Sequence, residues 1–208
     1  MPQAYPLMLD VAGRLVVIIG GGPVAVRKVK GLLEAGATRV RVVAPECHAE
    51  MPAAGVERVS ASYEPSRLDG AQLVFAATDS PAVNERVVAD ARGRGIWVNR
   101  SDEGDAGDFA TPAKLQNGEV VVTVSAGSAA LAAAIRDDLA SKLDPRHVKL
   151  AEAMKTLRPA VRTSEADPQR RAAIFRDLTS DGAMEAVEAG GTEGLRNWVR
   201  VRHPNLRI

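Results

Sequence analysis

The stretch Arg14–Ala37, RLVVIIGGGPVAVRKVKGLLEAGA, decides how the rest of the chain is read. Arg14–Ile19 is a continuous apolar run, the pattern of a strand covered on both faces. Three glycines, Gly20, Gly21 and Gly22, follow at once. Val24–Ala35 then places Ala25, Val29, Leu32 and Leu33 at helical spacing, so one face of a helix is apolar. Glycine tolerates positive φ and removes the Cβ that blocks close backbone approach. A helix start offers unpaired N–H groups and the positive end of a dipole. A glycine turn between a first strand and a first helix is therefore suited to a pyrophosphate. In the pattern G-x-G-x-x-G/A, Gly20 makes the turn, Gly22 admits the phosphate, and Ala25 lets helix and strand pack closely. A turn that needs glycine for backbone reasons alone is the alternative.

The same rhythm continues. Strands are expected at Val40–Ala44, Val56–Tyr63, Leu73–Ala77 and Ile96–Val98. Ser80-Pro81 opens the helix between the last two, with Ser80 as N-cap and Pro81 at the first helical position. Strands alternating with helices imply a parallel sheet with crossover helices. After Asn99 the pattern changes. SDEGDAGDFATPA is a polar loop, and Phe109–Leu115 and Glu119–Ser125 read as a hairpin turned at Asn117-Gly118. Ser128 begins a helix whose Leu131, Ile135, Leu139 and Leu143 form one stripe. The remainder to Ile208 is helical in four segments. The fold class expected is α/β: a Rossmann-type parallel-sheet domain over 1–112, a small α+β dimerisation domain over 113–145, and a helical domain over 146–208.

Composition removes several classes of function. The 208 residues carry a formal net charge of +1, without the basic excess of a nucleic-acid binder. No apolar run is long enough to span a bilayer, and MPQAYPLML lacks the parts of a signal peptide. The single cysteine, Cys47, cannot form an internal disulfide, so a cytoplasmic protein is expected. His48, His147 and His203 are scattered without ligand spacing, and no metal site is expected. Residues 146–208 hold 12 Lys/Arg against 8 Asp/Glu, a modestly basic tail. It either attracts an anion or is a solvated helical surface.

At the end of the second strand, Glu46 either touches an adenosine ribose or is an ordinary surface glutamate. No arginine follows that strand to hold a 2′-phosphate, so NAD is preferred to NADP. Thr78, after the fourth strand, either contacts the cofactor or caps the next helix.

The chain resembles the precorrin-2 dehydrogenase/sirohydrochlorin ferrochelatase module of siroheme synthases. The resemblance rests on GGGPVAVRK, LVFAATDSPAVNERV, GIWVNRSDEGDAGDFATPA and VVVTVSAGSAALAAAIRDDL, in that order, and covers nearly the whole chain. It implies oxidation of precorrin-2, a polycarboxylate tetrapyrrole, to sirohydrochlorin by NAD. In many relatives insertion of ferrous iron follows, and the protein is a homodimer. Carried over by motif, the cofactor residues are Gly20, Gly21, Gly22, Pro23, Val24, Pro45 and Glu46. The key aspartate falls on Asp102.

Two departures stand out. Ala129 replaces a proline after Ser128 in a shortened link, and Arg100 and Ser101 stand where relatives carry apolar residues. Asp102 follows the fifth strand, at the sheet edge where ligands of such folds bind. A carboxylate there suits proton removal; an aspartate in a polar loop is also an ordinary turn former. Asp108 is the second choice, its other role being to anchor the chain that follows. Ser128, Arg100 and Lys114 are candidates for substrate carboxylates, with helix capping for Ser128 and solvated surface for the two cations as the alternatives. A domain that binds NAD without catalysis is the competing reading.

Overall fold

A computed structural model describes residues 4–208. The first three residues of the N-terminal stretch lie outside the described residues. The chain divides into two compact units, one ending at Thr111 and one running Pro112–Ile208.

The first unit is a five-stranded parallel sheet in the order β3-β2-β1-β4-β5. The strands are β1 (Leu15–Ile19), β2 (Arg39–Ala44), β3 (Val56–Ser60), β4 (Leu73–Ala76) and β5 (Trp97–Arg100). Two helices, α1 (Pro23–Glu34) and α2 (Pro81–Gly93), provide the crossovers. Every residue of β1 is buried because the two faces of the sheet are both covered. Val16 and Ile18 enter the cluster that holds Ala25, Val29 and Leu32 of α1. Leu15, Val17 and Ile19 enter the cluster that holds Val87, Val88 and Ala91 of α2. Each such side chain, fully buried, contributes roughly 1.5–3 kcal/mol. The chain leaves β1 toward β2 on one side and returns to β4 on the other, so the topological switch lies between β1 and β4. Ligands of open α/β sheets bind beyond the carboxyl ends at such a point.

The expected third strand is shorter than its sequence pattern suggested, ending at Ser60 rather than Tyr63. Tyr63 instead packs against the α2 side of the sheet and hydrogen-bonds Asp90.

The second unit opens with a hairpin of β6 (Ala113–Asn117) and β7 (Val120–Val124), followed by α3 (Ala129–Lys142), α4 (Pro145–Ser164), α5 (Pro168–Asp177) and α6 (Asp181–Arg202). Its first strand begins at Ala113, not Phe109, because Phe109 stays with the first unit. The Phe109 ring meets Phe75 edge-on at 5.3 Å, and its carbonyl accepts from Asn99. Pairing of Asn117 with Val120 makes the hairpin loop Gly118-Glu119, one residue later than Asn117-Gly118. Positive φ falls on Gly118 (53°), the position where a II′ turn takes glycine. The turn lies against α4, where Lys155 pairs with Glu119 at 2.8 Å.

Asp144 and Asp167 cap α4 and α5 by accepting from Arg146 and Gln169 backbone N–H groups. The two last helical segments of the sequence form one element bent at Gly190-Gly191, where Gly191 has φ 57°. Leu150, Leu157, Val161, Leu178, Leu195 and Val199 fill the core of α4–α6, and Trp198 packs against it, partly buried. Among the described residues no helix is long and apolar enough to cross a membrane.

Candidate active site at the carboxyl edge of the sheet

The three glycines have different physical reasons. Gly20 has φ 125°, and a Cβ there would stand 2.3 Å from the Ala77 carbonyl oxygen. A Cβ on Gly21 would stand 2.1 Å from the Glu46 carbonyl oxygen, where the Pro45–His48 segment folds over it. The His48 N–H donates to the Gly21 carbonyl at 2.8 Å. Gly22 is the exception: a Cβ there would meet nothing within 4 Å. It is the N-cap of α1, without a side-chain cap and with Pro23 next. Pro23 has no N–H to lose at that position, and the amides of Val24 and Ala25 begin the helix. Gly20 and Gly21 thus shape the turn, while Gly22 leaves the helix start bare on its open side. These residues fit a diphosphate, which needs close approach to those amides. Ala25 is fully buried between helix and sheet. Pro45 and Glu46 are exposed just past β2.

The next residues along this edge form a buried polar brace. Thr78 donates its backbone N–H (3.1 Å) and its hydroxyl (2.8 Å) to Asn84 Oδ1. Asn84 Nδ2 donates back to the Thr78 carbonyl at 3.1 Å. Asn84 is wholly buried on the first turn of α2, which Ser80 caps by accepting from the Val83 N–H. The Thr78 hydroxyl is therefore engaged in shaping the loop. In sequence, Asn84 is marked only by closing the AATDSPAVN motif and by being a polar residue on the inward face of a helix.

At the end of β5, Arg100 and Asp102 form a two-point ion pair. Arg100 Nε lies 3.1 Å from Asp102 Oδ1, and Nη2 lies 3.2 Å from Oδ2. Nη1 pairs with Glu103 Oε2 at 3.2 Å. Burial of Asp102 pushes its carboxyl up. Hydrogen bonds from Arg100 and from its own backbone N–H, the Arg100 charge and the Asn84 amide outweigh that and hold it below the ordinary aspartate range. Ser101 keeps the segment in place by donating its N–H to the Ala76 carbonyl at 2.9 Å.

Asp108 anchors the loop backward to β5 and α2, not to the strand that follows. Its Oδ1 accepts from Arg92 at 2.8 Å, and its Oδ2 accepts from the Val98 N–H at 3.1 Å. Its own N–H donates to the Val98 carbonyl at 2.7 Å. The loop thereby satisfies the outer edge of β5, which no strand covers. Buried Asn99 ties the same loop by donating to the Phe109 carbonyl at 2.8 Å. On the α1 side, Lys28 donates to the Thr111 hydroxyl at 2.5 Å and lies 5.4 Å from the Phe75 ring centre. Burial, with help from Arg27, lowers the pKa of its ammonium.

In the second unit, Ser128 caps α3 by accepting from the Leu131 N–H at 3.2 Å. Lys114, on β6, donates to Gln116 at 3.1 Å. Among the described residues no group of three His, Cys, Asp or Glu side chains is placed to hold a metal ion.

The parallel sheet with this strand order, its glycine turn and the bare helix start define a Rossmann-type dinucleotide-binding domain. Residues 7–113 match the family described as "Putative NAD(P)-binding", and the chain belongs to it. The chain is 33% identical over 200 residues to the siroheme synthase of Chromobacterium violaceum, covering 93% of this chain and 42% of that protein. It is 37% identical over 195 residues to the siroheme synthase of Ectopseudomonas mendocina, covering 92% of this chain and 42% of that protein. It thus spans about two fifths of the length of these relatives. A solved structure titled "SirC, precorrin-2 dehydrogenase" shares the fold over 95% of this chain and 100% of that one, with a TM-score of 0.76 and 23% identity.

Proposed function

We propose that this protein is an NAD-dependent precorrin-2 dehydrogenase that makes sirohydrochlorin. The observation that carries this reading is an oriented, ionised carboxylate on Asp102 at the same sheet edge as the bare start of α1. Gly20 packs on Ala77, Thr78 is braced by Asn84, and the Asn84 amide acts on Asp102, so the two ends of the site share one contiguous framework. The names of the siroheme synthases and of the dehydrogenase sharing the fold support the substrate class.

The residues assigned to the dinucleotide are Gly20, Gly21, Gly22, Pro23, Val24, Pro45, Glu46 and Thr78. Glu46, with no arginine directly after β2, favours NAD over NADP. The bound nicotinamide supplies a hydride acceptor. Two-electron oxidation of precorrin-2 would also release a proton, which needs a base. Asp102 is the base in this reading, held as a carboxylate and aimed by Arg100. In the first unit Arg100 is assigned to a substrate carboxylate; in the second unit Lys114 and the Ser128-capped start of α3 are each assigned to one, since guanidinium, ammonium and helix N-terminus all suit that charge. Ferrous iron enters only as the substrate of a second step, insertion into sirohydrochlorin. The protein acts as a homodimer, which the outward-facing Leu131, Ile135 and Leu139 of α3 support; they are 51%, 39% and 40% exposed.

Anaerobic addition of precorrin-2 to protein and NAD tests the reading: NADH forms at the rate sirohydrochlorin absorbance rises. Tight NAD binding without turnover would favour the non-catalytic sensor instead. Incubation with sirohydrochlorin and ferrous iron, without NAD, tests the iron step separately.

A further inference from the structure

The Arg100 guanidinium is shared unequally by two carboxylates. Asp102 takes the Nε–Nη2 edge at two points, 3.1 and 3.2 Å. Glu103 takes Nη1 alone, at 3.2 Å. The Arg100 side chain is 12% exposed and that of Asp102 31%, whereas that of Glu103 is 64% exposed. The inner pair is bidentate and partly shielded. The outer contact is single and solvated, the kind that contributes little and exchanges readily. Glu85 adds further negative charge felt by Arg100. Arg100, Asp102 and Glu103 together carry a net negative charge, which repels an incoming polyanion.

We propose that Glu103 is an internal stand-in for a substrate carboxylate: the tetrapyrrole enters by displacing Glu103 from Arg100 Nη1, while Asp102 keeps the opposite edge. The inference rests on the dehydrogenase reading above for the substrate's identity. Arg100 then bridges one carboxylate of the substrate to the base, and so sets where the substrate sits relative to Asp102. Displacement costs little because the Glu103 side chain swings into water while its backbone still anchors the turn at Ala106. It also removes one like charge as the polyanion arrives.

The test is a double-mutant cycle on the full chain with E103Q, R100Q and both together. E103Q removes the competitor's charge while keeping its shape. It is expected to lower the KM for precorrin-2 by about 1.5- to 5-fold, the worth of one exposed ion pair. The kcat and the KM for NAD stay within error. In the R100Q background the E103Q effect disappears, since there is no guanidinium to compete for. A KM that is unchanged or higher in E103Q, or an effect that persists without Arg100, overturns the proposal. Spectral titration with sirohydrochlorin gives a second measurement that needs no turnover, and its Kd should fall by the same factor in E103Q. If the wild type binds sirohydrochlorin with that E103Q response but forms no NADH, the stand-in survives and the dehydrogenase reading falls. If sirohydrochlorin does not bind, both fall.

Discussion

Asn84 holds Thr78 from both sides of its peptide: Oδ1 accepts the Thr78 N–H at 3.1 Å, and Nδ2 donates to the Thr78 carbonyl at 3.1 Å. A fully buried amide in the first turn of α2 thereby fixes the loop that leaves β4. Substituting Asn84→Leu keeps the bulk and strands those two backbone groups. Each unsatisfied buried group costs about 1–3 kcal/mol. Urea unfolding should therefore show a clear loss of stability, together with weaker dinucleotide binding. An unchanged midpoint would show that the loop does not depend on the brace.

The glycines should separate folding from binding. Gly22→Ala meets open space and has an ordinary φ of −78°, so thermal unfolding should show a loss of no more than the roughly 1 kcal/mol by which glycine exceeds alanine as an N-cap. Calorimetry should nevertheless show dinucleotide affinity reduced by roughly tenfold or more, because the methyl stands where a phosphate approaches the helix start. Gly20→Ala should behave oppositely, destabilising the fold by more than about 1 kcal/mol through positive φ and the Ala77 contact. Full affinity in Gly22→Ala would remove the phosphate from this helix start.

Asp102→Asn should leave NAD binding intact and reduce turnover by about 10²- to 10⁴-fold, the usual contribution of a positioned base. Because the folded-state pKa of Asp102 lies below its unfolded value, the ionised form is favoured by folding. That contribution is present above the unfolded value, about 3.9, and is lost as pH falls through the folded one. The acid limb of kcat/KM should accordingly lie below the ordinary aspartate range. In Arg100→Leu the main lowering influences disappear, burial dominates, and the limb should move up in pH. A limb that stays put would separate Arg100 from the base.

Ser128 can be tested by keeping its cap. Ser128→Ala loses the bond to Leu131 and should cost about 0.5–2 kcal/mol of stability. Ser128→Asp restores a capping oxygen and adds a negative charge at the start of α3. If that start receives a substrate carboxylate, Ser128→Asp should be as stable as wild type yet raise the tetrapyrrole KM several-fold. An unchanged KM would leave Ser128 with capping alone.

The stripe on α3 predicts association. Light scattering on the wild type should give twice the chain mass, and Ile135→Glu should give a folded monomer with unchanged circular dichroism. A monomeric wild type would remove the homodimer.

Much of this protein was legible in one dimension because its determinants are local. The unbroken apolar run of β1, the Ser80-Pro81 helix start, the Ser128 cap and the small Ala25 each act within a few residues. So the parallel sheet and the position of the glycine turn followed from spacing. The Arg100–Asp102 pair was within reach too, since residues two apart at the end of a strand project to the same side.

Other features depended on where distant segments meet. Although Asn84 follows Thr78 by only six residues, its amide turns back onto the end of β4 only once α2 packs on the sheet. Nothing near Asp108 says that its carboxylate will return to the edge of β5, ten residues back. The division of labour among the three glycines was likewise decided in three dimensions, by the Ala77 and Glu46 carbonyls that crowd Gly20 and Gly21 and by the open space at Gly22. Local backbone preference chooses the elements, but which polar groups must satisfy one another is settled only when packing excludes water from between them.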